Sequence, residues 1–380
     1  MKVLVLGDPN SLWEKEFIQY VLLPMGVEVI LQDNYNNGSL YHAFYAESGV
    51  AITPLKPIPN WIMKIAKFRG FMMNRQYKKA LQPYAPFDVI INMFVSPTAL
   101  RRAVSWRYAG ARVYAYFCGS EIIRASMATC YRLKPCLKRV AGVVFASDSV
   151  HDAYMQKIGK LAGVRMATVR LGLSVLKCID SMLQETRGED HKSRLDLTAD
   201  KTTICIGYNA SAAQNHMLIL TQIQRLPREL LDRLTLLLPM TYGGSDAYIA
   251  QVEKVVEGLG CDYKLFRHFM DHHEMAQLWL ATDIFINAQS TDGLSGSVLE
   301  ALYAGAVLLN ASWLRYREYE AWGLEYVGYS HYEEIPDLLT HLGDCSQCEK
   351  SKNRSILQSQ MSWEQCRTMW SNLLASKEPS

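Results

Sequence analysis

The sequence lacks long apolar runs, low-complexity tracts, internal repeats and any large excess of one charge. None of its apolar runs approaches the length of about 18 residues that a membrane-spanning helix needs, so we expect no transmembrane segment. The formal net charge of +3 is too small to indicate nucleic acid as a partner. The N-terminus enters an apolar strand pattern without a basic and then apolar leader, so we expect no signal peptide. What remains is a globular chain of 380 residues, long enough for two buried cores.

Cysteine is present without the spacing of a metal site or a disulfide framework. The nine cysteines are odd in number and scattered, which indicates free thiols in a reducing cytoplasm. Cys345 and Cys348 form a lone C-x-x-C pair, but a structural zinc ion needs a second ligand pair, and none is evident. We therefore expect no metal ion.

Apolar runs of strand length alternate with segments of helix length in both halves of the chain. This alternation predicts an α/β fold of two Rossmann-like domains with parallel sheets. Residues 177–201 are rich in charge and poor in core pattern, which predicts a linker between domains at 1–176 and 202–360. A last helix within 361–380 is expected to cross back to the first domain. The strand-like runs are residues 3–6, 27–31, 89–92, 113–117, 143–146, 166–170, 203–207, 234–239, 263–266, 284–287 and 307–310.

The most informative segment is 283–306, DIFINAQSTDGLSGSVLEALYAGA, in which an apolar strand pattern leads through a glycine-containing loop into a helix. The start of a helix binds anions, because its unpaired backbone N–H groups and its dipole point outward. Asp292 stands before the helix and Glu300 inside it, where a carboxylate can reach sugar hydroxyls beside a bound phosphate. The pattern predicts a nucleotide-sugar enzyme. The structural alternative is an exposed helix with two solvated acids.

Residues 292–300 resemble the acid–seven–acid motif of GT-B glycosyltransferases, in particular the retaining group called family four. Asp292, Leu294 and Ser295 depart from the Glu, Phe and Gly of that motif. The resemblance implies that Glu300 binds the donor ribose and that Asp292 lies near the donor sugar. It also implies that the backbone at Gly293, Leu294 and Ser295 meets the phosphate and the sugar, in a cleft between two domains. No cofactor and no metal are expected, because these enzymes usually need none.

The segment 207–216, GYNASAAQNH, follows the first strand of the second half. Family-four enzymes usually place an arginine and a lysine here for the departing diphosphate, whereas this chain offers neutral donors that include Asn209 and Asn215. Together with residues 239–254, the segment is similar to the fucosamine transferases of enterobacterial common antigen synthesis, which use a lipid-linked acceptor. A phosphate-binding role and a plain helix cap both stay open.

Two further strand ends carry polar residues. Arg267 and His268 follow a strand, and the family resemblance implies that the backbone near His268 reads the nucleobase. Arg267 either supplies the missing positive charge or is an ordinary surface arginine. In the first half, FCGSEIIR at 117–124 resembles a stretch of polysaccharide-assembling glycosyltransferases. Its Glu121 either accepts a proton from an acceptor hydroxyl or caps the following helix.

Residues 60–81 contain six basic residues and no acid, with aromatic and apolar residues at near-helical spacing. A basic, aromatic, amphipathic helix is typical of a membrane-surface anchor or a dock for a lipid acceptor. The alternative is an ordinary core-facing helix with a basic outer face. The residues predicted to meet the membrane or the acceptor are Trp61, Lys64, Lys67, Phe68, Arg69 and Phe71.

The sequence therefore favours a glycosyltransferase that moves a sugar from a nucleotide-sugar donor to a lipid-linked or polysaccharide acceptor in bacterial surface glycan synthesis. The acid pair favours retention, with inversion using Glu121 as base left open. The predicted location is the cytoplasm, on the inner face of the plasma membrane, and nucleic acid is not expected as a partner. A nucleotide-sugar epimerase of the same fold, or a glycosyltransferase-like subunit without catalytic activity, are the alternatives.

Overall fold

The computed structural model describes residues 1–33, 40–53, 66–105, 110–185, 191–341 and 347–375. Within these ranges the side chains of residues 33, 66–70 and 347–351 are not described. The chain forms two units, one made of Met1–Gly172 together with Trp363–Ser380 and the other of Leu173–Ser362. Each unit is an α/β unit with its own core.

The first unit contains a seven-stranded parallel sheet in the order β3-β2-β1-β4-β5-β6-β7. Its central strands are buried along their length, as expected for a parallel sheet covered by helices on both faces. The strands are β1 (Lys2–Gly7), β2 (Glu28–Asp33), β3 (Ala51–Thr53), β4 (Val89–Met93), β5 (Arg112–Phe117), β6 (Gly142–Phe145) and β7 (Arg165–Thr168).

The helices of the first unit follow its strands and cover the sheet. Most of them are short, and several begin at a serine whose side chain accepts a backbone N–H of the first turn, as Ser126 and Ser147 do. They are α1 (Leu12–Phe17), α2 (His42–Glu47), α3 (Ala66–Leu81), α4 (Pro97–Ser105), α5 (Ser120–Ile123), α6 (Met127–Leu137) and α7 (Asp148–Lys157). A π turn at Ile18–Leu22 and 3₁₀ turns at Leu23–Met25 and Gln82–Tyr84 complete the connections.

The second unit contains a six-stranded parallel sheet in the order β10-β9-β8-β11-β12-β13. Its strands are β8 (Thr202–Ile206), β9 (Leu234–Pro239), β10 (Asp262–Phe266), β11 (Ile284–Asn287), β12 (Val307–Ala311) and β13 (Val327–Tyr329). Its helices are α8 (Val175–Glu185), α9 (His216–Ile223), α10 (Arg228–Leu231), α11 (Asp246–Leu259), α12 (His272–Leu280), α13 (Gly296–Ala304), α14 (Arg317–Trp322), α15 (Ile335–His341) and α16 (Gln347–Met361). Short 3₁₀ turns lie at Ser193–Leu195, Ala212–Gln214 and Tyr332–Glu334.

The last helix, α17 (Trp363–Ala375), belongs to the first unit. The Trp370 ring lies 4.6 Å from the Phe17 ring, and its indole Nε1 donates to the carbonyl of Arg170 at 3.1 Å. A Cβ atom at Gly172 would lie 2.8 Å from Trp363 Cα, so only glycine fits at this point of the chain. The helix is therefore fixed by close packing of its two buried tryptophans.

The predicted α/β fold class with two Rossmann-like sheets is confirmed. Both sheets are doubly wound: the strand order reverses between β1 and β4 in the first and between β8 and β11 in the second. Ligands of such sheets bind at the carboxyl ends of the strands on either side of this switch point, where the loops diverge. The topology thus marks one place in each unit for a site.

Two features differ from the sequence prediction. The edge strands β3 and β13 were not predicted, because each has three residues and so little pattern. The predicted linker at 177–201 begins inside helix α8, whose Ile179 and Met182 are buried in the core of the second unit. Charged residues on the outer face of α8 mask this apolar stripe in the sequence.

Candidate active site

The switch point of the second sheet brings together the loops that follow β8 and β11, which pair directly as parallel neighbours. We call residues 207–216 and 288–295 the β8–β11 loop cluster. The cluster contains six of the residues singled out from the sequence, namely Asn209, Asn215, Asp292, Gly293, Leu294 and Ser295. Its location satisfies the topological rule for a ligand site.

The loop after β8 turns sharply at Gly207, which has φ of +63°. A Cβ atom there would lie 3.0 Å from both the Gln214 Oε1 and the His216 Nε2 atoms, so glycine is required for conformation and for space. Asn209 accepts the backbone N–H of Ser211 at 2.9 Å and so stabilises the turn. Asn215 adopts the left-handed conformation immediately before α9.

Hydrogen bonds lock the two loops together. The Asn215 amide donates to the Ala288 carbonyl at 2.7 Å, and the Gln214 amide donates to Gln289 Oε1 at 2.8 Å. The backbone N–H of Ser290 in turn donates to the Ala213 carbonyl at 2.8 Å. Asn215 is therefore not only a helix-start residue: it joins the two loops into one unit.

Asp292 lies inside this cluster and is bound by two tyrosines. Its Oδ2 accepts from the Tyr316 hydroxyl at 3.0 Å and the Tyr208 hydroxyl at 3.3 Å, and its Oδ1 accepts the Gly293 N–H at 2.8 Å. Burial, and then the charge of Asp292, raise the pKa of both tyrosines above the usual value, so both phenols stay protonated. Tyr316 donates to Asp292, whereas the single hydroxyl proton of Tyr208 is shared between Asp292 and the closer Gln289 Oε1. The carboxylate is thus oriented by the protein before any ligand arrives.

Glu300 is buried in α13, just over one turn from the loop. The Trp279 indole of α12 donates to its Oε2 at 3.2 Å, which fixes the carboxylate. Ser295 precedes the helix as its N-cap residue, but its side chain makes no capping hydrogen bond. The first-turn amides of α13 are therefore not capped by Ser295 and lie where the anion site was predicted.

The loop after β8 contains neutral polar side chains and no arginine or lysine. His216 is fully buried, and burial lowers its pKa to about 4, so the imidazole is neutral at pH 7. Its Nδ1 lies 3.2 Å from the Tyr248 hydroxyl, whereas its Nε2 and the Gln214 Oε1 have no hydrogen-bond partner within the described part of the chain. Of these two atoms only His216 Nε2 can donate a hydrogen bond, because the Gln214 Oε1 atom is an acceptor.

Arg267 and His268 follow β10, the edge strand of the same sheet, and both are exposed. Arg267 forms an ion pair with Glu253, and His268 Nε2 lies 3.0 Å from Glu274 Oε1. Each side chain is thus engaged by a neighbouring carboxylate, and neither is brought into the loop cluster by a hydrogen bond.

Glu121 lies in the first unit at the carboxyl end of β5. Its carboxylate accepts the backbone N–H groups of Cys118 at 2.7 Å and Gly119 at 2.8 Å. These are the contacts of a residue that closes its own turn, the capping alternative left open by the sequence. To act as the base, the carboxylate would have to take a proton from a hydroxyl group of the sugar acceptor in addition to binding these two amides.

The basic segment is described only in part. Trp61 and Lys64 lie outside the described residues, and Lys67, Phe68 and Arg69 belong to α3 without described side chains. Phe71 is exposed, while Tyr77 and Leu81 of the same helix are buried in the core of the first unit. The end of α3 is therefore a core-facing helix with a basic outer face, formed by Arg75, Lys78 and Lys79.

Within the described ranges no cluster of three or more metal-binding side chains occurs. Cys345 lies outside those ranges, so the C-x-x-C pair is not described as a site. Among the described helices, none combines the length and the hydropathy that crossing a bilayer requires.

Sequence reasoning did not single out four residues that shape the site, Tyr208, Gln289, Tyr316 and Trp279. Tyr208 and Gln289 each stand two residues after a strand end, a position that signals a loop at the carboxyl edge of the sheet. Tyr316 and Trp279 carry no such signal, because their partners are far away in sequence.

No protein-family model matches the sequence, and no curated protein matches it. Solved structures do share its fold. HepE of Anabaena, solved in complex with UDP and glucose, aligns over 99% of both chains with a TM-score of 0.71 and 13% identity. Sucrose-phosphate synthase of Thermosynechococcus elongatus aligns over 98% of both chains with a TM-score of 0.75 and 11% identity. The UDP-forming trehalose-phosphate synthase of Burkholderia xenovorans, solved with glucose-6-phosphate, aligns over 99% of this chain and 100% of its own, with a TM-score of 0.69 and 12% identity.

These structural neighbours are GT-B glycosyltransferases, so the predicted GT-B fold is confirmed. At identities of 11–13% the likeness establishes the fold and not the substrates.

Proposed function

We propose that this protein is a glycosyltransferase that moves a sugar from a nucleotide-sugar donor to a lipid-linked or polysaccharide acceptor. The observation that carries the proposal is the β8–β11 loop cluster. Two interlocked loops lie at the switch point of the sheet and lead to a helix start that Ser295 does not cap, with the oriented carboxylate of Glu300 just over one turn on. The fold supports it, since HepE, which shares this fold, was solved with UDP and glucose.

In this proposal the first-turn amides of α13 and the neutral side chains of the cluster bind the diphosphate of the donor. Hydrogen-bond donors fixed in place stabilise the charge that develops on the departing diphosphate without having to reorganise. His216 suits this role because its imidazole is uncharged and its unpartnered Nε2 can donate when Nδ1 accepts from Tyr248. Glu300 binds the ribose, Asp292 orients the loop beside the donor sugar, and the transfer retains the anomeric configuration. No metal and no cofactor take part.

The test is a thermal-shift and calorimetry series with UDP, GDP and TDP. One nucleotide diphosphate is expected to stabilise the protein, since binding to the native state raises the unfolding midpoint. Glu300→Ala is expected to weaken the binding of that nucleotide roughly 10-fold or more, because it removes a charged hydrogen-bond acceptor. Glu300→Gln keeps the volume and an acceptor for Trp279, and it separates loss of ribose binding from loss of folding. Exposed Glu229→Gln is the matched control.

If none of the three nucleotides binds and no nucleotide sugar is consumed, the protein is the non-catalytic subunit and the proposal fails. Donor turnover to a second nucleotide sugar without any acceptor identifies an epimerase instead. Unchanged nucleotide affinity in both Glu300 variants would remove the ribose assignment alone.

We propose further that the protein works in bacterial surface glycan synthesis on the inner face of the plasma membrane, held by the basic segment at 60–81. Replacing Lys64, Lys67 and Arg69 by glutamine is expected to abolish co-sedimentation with anionic liposomes, since each basic residue near such a surface contributes about 1 kcal/mol. The control replaces the exposed Arg132, Lys138 and Lys254, which removes the same charge elsewhere. Equal sedimentation of both variants contradicts the membrane assignment.

A further inference from the structure

The switch point of the first sheet holds a pocket that the proposed donor site does not use. The pocket has a volume of about 500 Å³, which is the size of a small-molecule site. Gly7 and Asp8 line it from the end of β1, and Met93 and Phe94 line it from the end of β4. It therefore occupies the place that the doubly wound topology reserves for a ligand in this unit.

Glu14 of α1 forms part of the wall and is fully buried. Its Oε2 accepts the backbone N–H of Asp8 at 2.6 Å, while its Oε1 has no hydrogen-bond partner within the described residues. A Cβ atom at Gly7 would lie 2.1 Å from that Oε1, so the glycine makes room for the carboxyl group. Burial, and then the charge of Asp8, raise the pKa of Glu14 to about 8, so the group is mostly protonated at pH 7. A protonated Oε1 can donate a hydrogen bond to a ligand.

Arg102 of α4 lines the same pocket and is 8% exposed. Its guanidinium lies 4.2 Å from the centre of the Tyr77 ring, and its Nη2 contacts the Met73 sulfur at 3.7 Å. No carboxylate pairs with Arg102 in the part of the chain that the structure describes, and its Nε has no hydrogen-bond partner there. The Tyr77 side chain and the Met73 thioether hold this buried positive charge, but no carboxylate compensates it within the described residues.

The rest of the wall suits a polar, hydroxyl-bearing ligand. Helix α4 starts at the pocket, where Ser96 and Thr98 supply hydroxyl groups beside the positive end of the helix dipole. Ser11 adds a third hydroxyl from the start of α1. Phe94 lies at the rim with φ of +49°, an unusual conformation for a residue with a side chain, and its ring is 39% exposed. Such strain persists where the surroundings or a ligand require it.

We propose that this pocket binds a sugar that carries an anionic group, a carboxylate or a phosphate, through Arg102 and the carboxyl group of Glu14. The sugar hydroxyls meet the three hydroxyl side chains, and the ring packs on Phe94. Identification of this ligand as the acceptor of the transfer rests on the proposed function, whereas its binding to the first unit does not.

Binding is linked to a proton on Glu14. While that carboxyl is protonated, the positive charge of Arg102 and of the start of α4 exceeds the single negative charge of Asp8, so the wall attracts an anion. When Glu14 ionises, the pocket is lined by two carboxylates and one guanidinium, so its wall repels an anion. The other titratable groups near Glu14 are Tyr45 and Cys118, both of whose pKa values burial raises, so neither adds charge near neutral pH.

The experiment is calorimetry on the full chain with glucuronate, glucose 6-phosphate, glucose and inorganic phosphate. One of the two anionic sugars is expected to bind at least about 10-fold tighter than glucose, because a charge-assisted hydrogen bond to a buried arginine is strong. Which of the two binds shows whether the anionic group is a carboxylate or a phosphate. Its dissociation constant is expected to rise roughly 10-fold between pH 7 and pH 9, as Glu14 loses its proton.

Two variants separate this site from a structural role. Arg102→Met keeps the length of the side chain and is expected to abolish the preference for the anionic sugar over glucose, whereas the exposed Arg101→Met on the same helix leaves the preference intact. Glu14→Gln keeps a neutral hydrogen-bond donor, so the anionic sugar still binds but the pH dependence disappears. If Glu14 had only a structural role, Glu14→Gln would not remove the pH dependence while leaving binding of the anionic sugar intact.

Three results overturn the proposal. Glucose binds as tightly as both anionic sugars, or Arg102→Met keeps the preference for the anionic sugar. The third is that none of the compounds binds at about 10 mM, a concentration above the dissociation constant of any useful site. UDP binding is measured on the same samples. UDP binding without anionic-sugar binding refutes this inference alone, and the converse refutes the proposed function alone.

Discussion

The two sheets place a polar site at the same topological point but build it from opposite materials. At the switch point of the first sheet, the buried groups are an acid and a guanidinium, Glu14 and Arg102. At that of the second, amides, hydroxyls and an uncharged imidazole, with Gln214, Tyr208 and His216 as central members, accompany the carboxylates of Asp292 and Glu300, and no arginine or lysine belongs to the loop cluster. Burial raises the pKa of an acid such as Glu14 and lowers that of a base such as His216. The stability of the first unit should therefore fall as the pH rises, and that of the second should fall as the pH drops.

The largest expected effect concerns Glu14. Its folded pKa of about 8 lies above the usual value of 4.5, so the folded state binds a proton more tightly than the unfolded state between these values. The stabilisation is fully present below pH 4.5 and is lost as the pH rises to 8, at a cost of up to roughly 4 kcal/mol. Glu14→Gln should therefore be more stable than the wild type at pH 8.5 by more than it is at pH 5. Urea denaturation at a series of pH values measures this, with exposed Glu47→Gln as control.

His216 should act in the other direction. Burial lowers its pKa to about 4 from 6.5, so the unfolded state binds the proton more tightly in this interval. Stability is then full above pH 6.5 and falls as the pH drops to 4, by up to roughly 3 kcal/mol. His216→Gln should flatten this acid loss, whereas exposed His42→Gln should not. An unchanged acid limb in His216→Gln would mean that the imidazole is not buried in its neutral form.

The third effect tests how firmly Asp292 is held. Tyr316→Phe removes one of the two phenol donors to its Oδ2 and also a 3.3 Å bond to Asn287. The loss of a hydrogen bond to a half-buried charged group should cost about 1–2 kcal/mol of unfolding free energy. Denaturation measures the cost, and Tyr326→Phe, whose hydroxyl is not part of this network, is the control. A cost equal to that of the control would show that Asp292 is positioned by other contacts.

The same comparison shows which features the sequence predicts. Strand β11 was predicted with its observed bounds, because four consecutive apolar or buried positions before a polar loop are a strong local signal. The start of α13 and both acids of the motif were found for the same reason. Local patterns thus suffice for central strands and for the loops that follow them.

Contacts between residues distant in sequence are the part that local patterns do not contain. Glu14 reads as an ordinary surface glutamate in a short amphipathic helix, and its burial over Gly7 depends on how α1 folds back on β1. Trp279 reads as a core residue, and its bond to Glu300 appears only when α12 and α13 are packed together. For this reason the pocket of the first unit was not predicted, while the predicted donor-site residues of the second unit stay a prediction.

The smallest expected effect concerns Arg267, the one cation predicted for the neutral site. Its ion pair with Glu253 is exposed, so breaking it should change the unfolding free energy by less than about 1 kcal/mol. If Arg267 serves the donor diphosphate, it must leave Glu253 to do so, because one guanidinium cannot keep both partners in full contact. Glu253→Gln should then tighten UDP binding about two- to threefold, and Arg267→Gln should weaken it by a similar factor, both diminishing at high salt. Calorimetry at two salt concentrations measures both. Equal UDP affinity in the two variants would mean that Arg267 does not contact the donor diphosphate. The switch point of the second sheet would then differ from that of the first in having no cation from Arg267 at its proposed anion site.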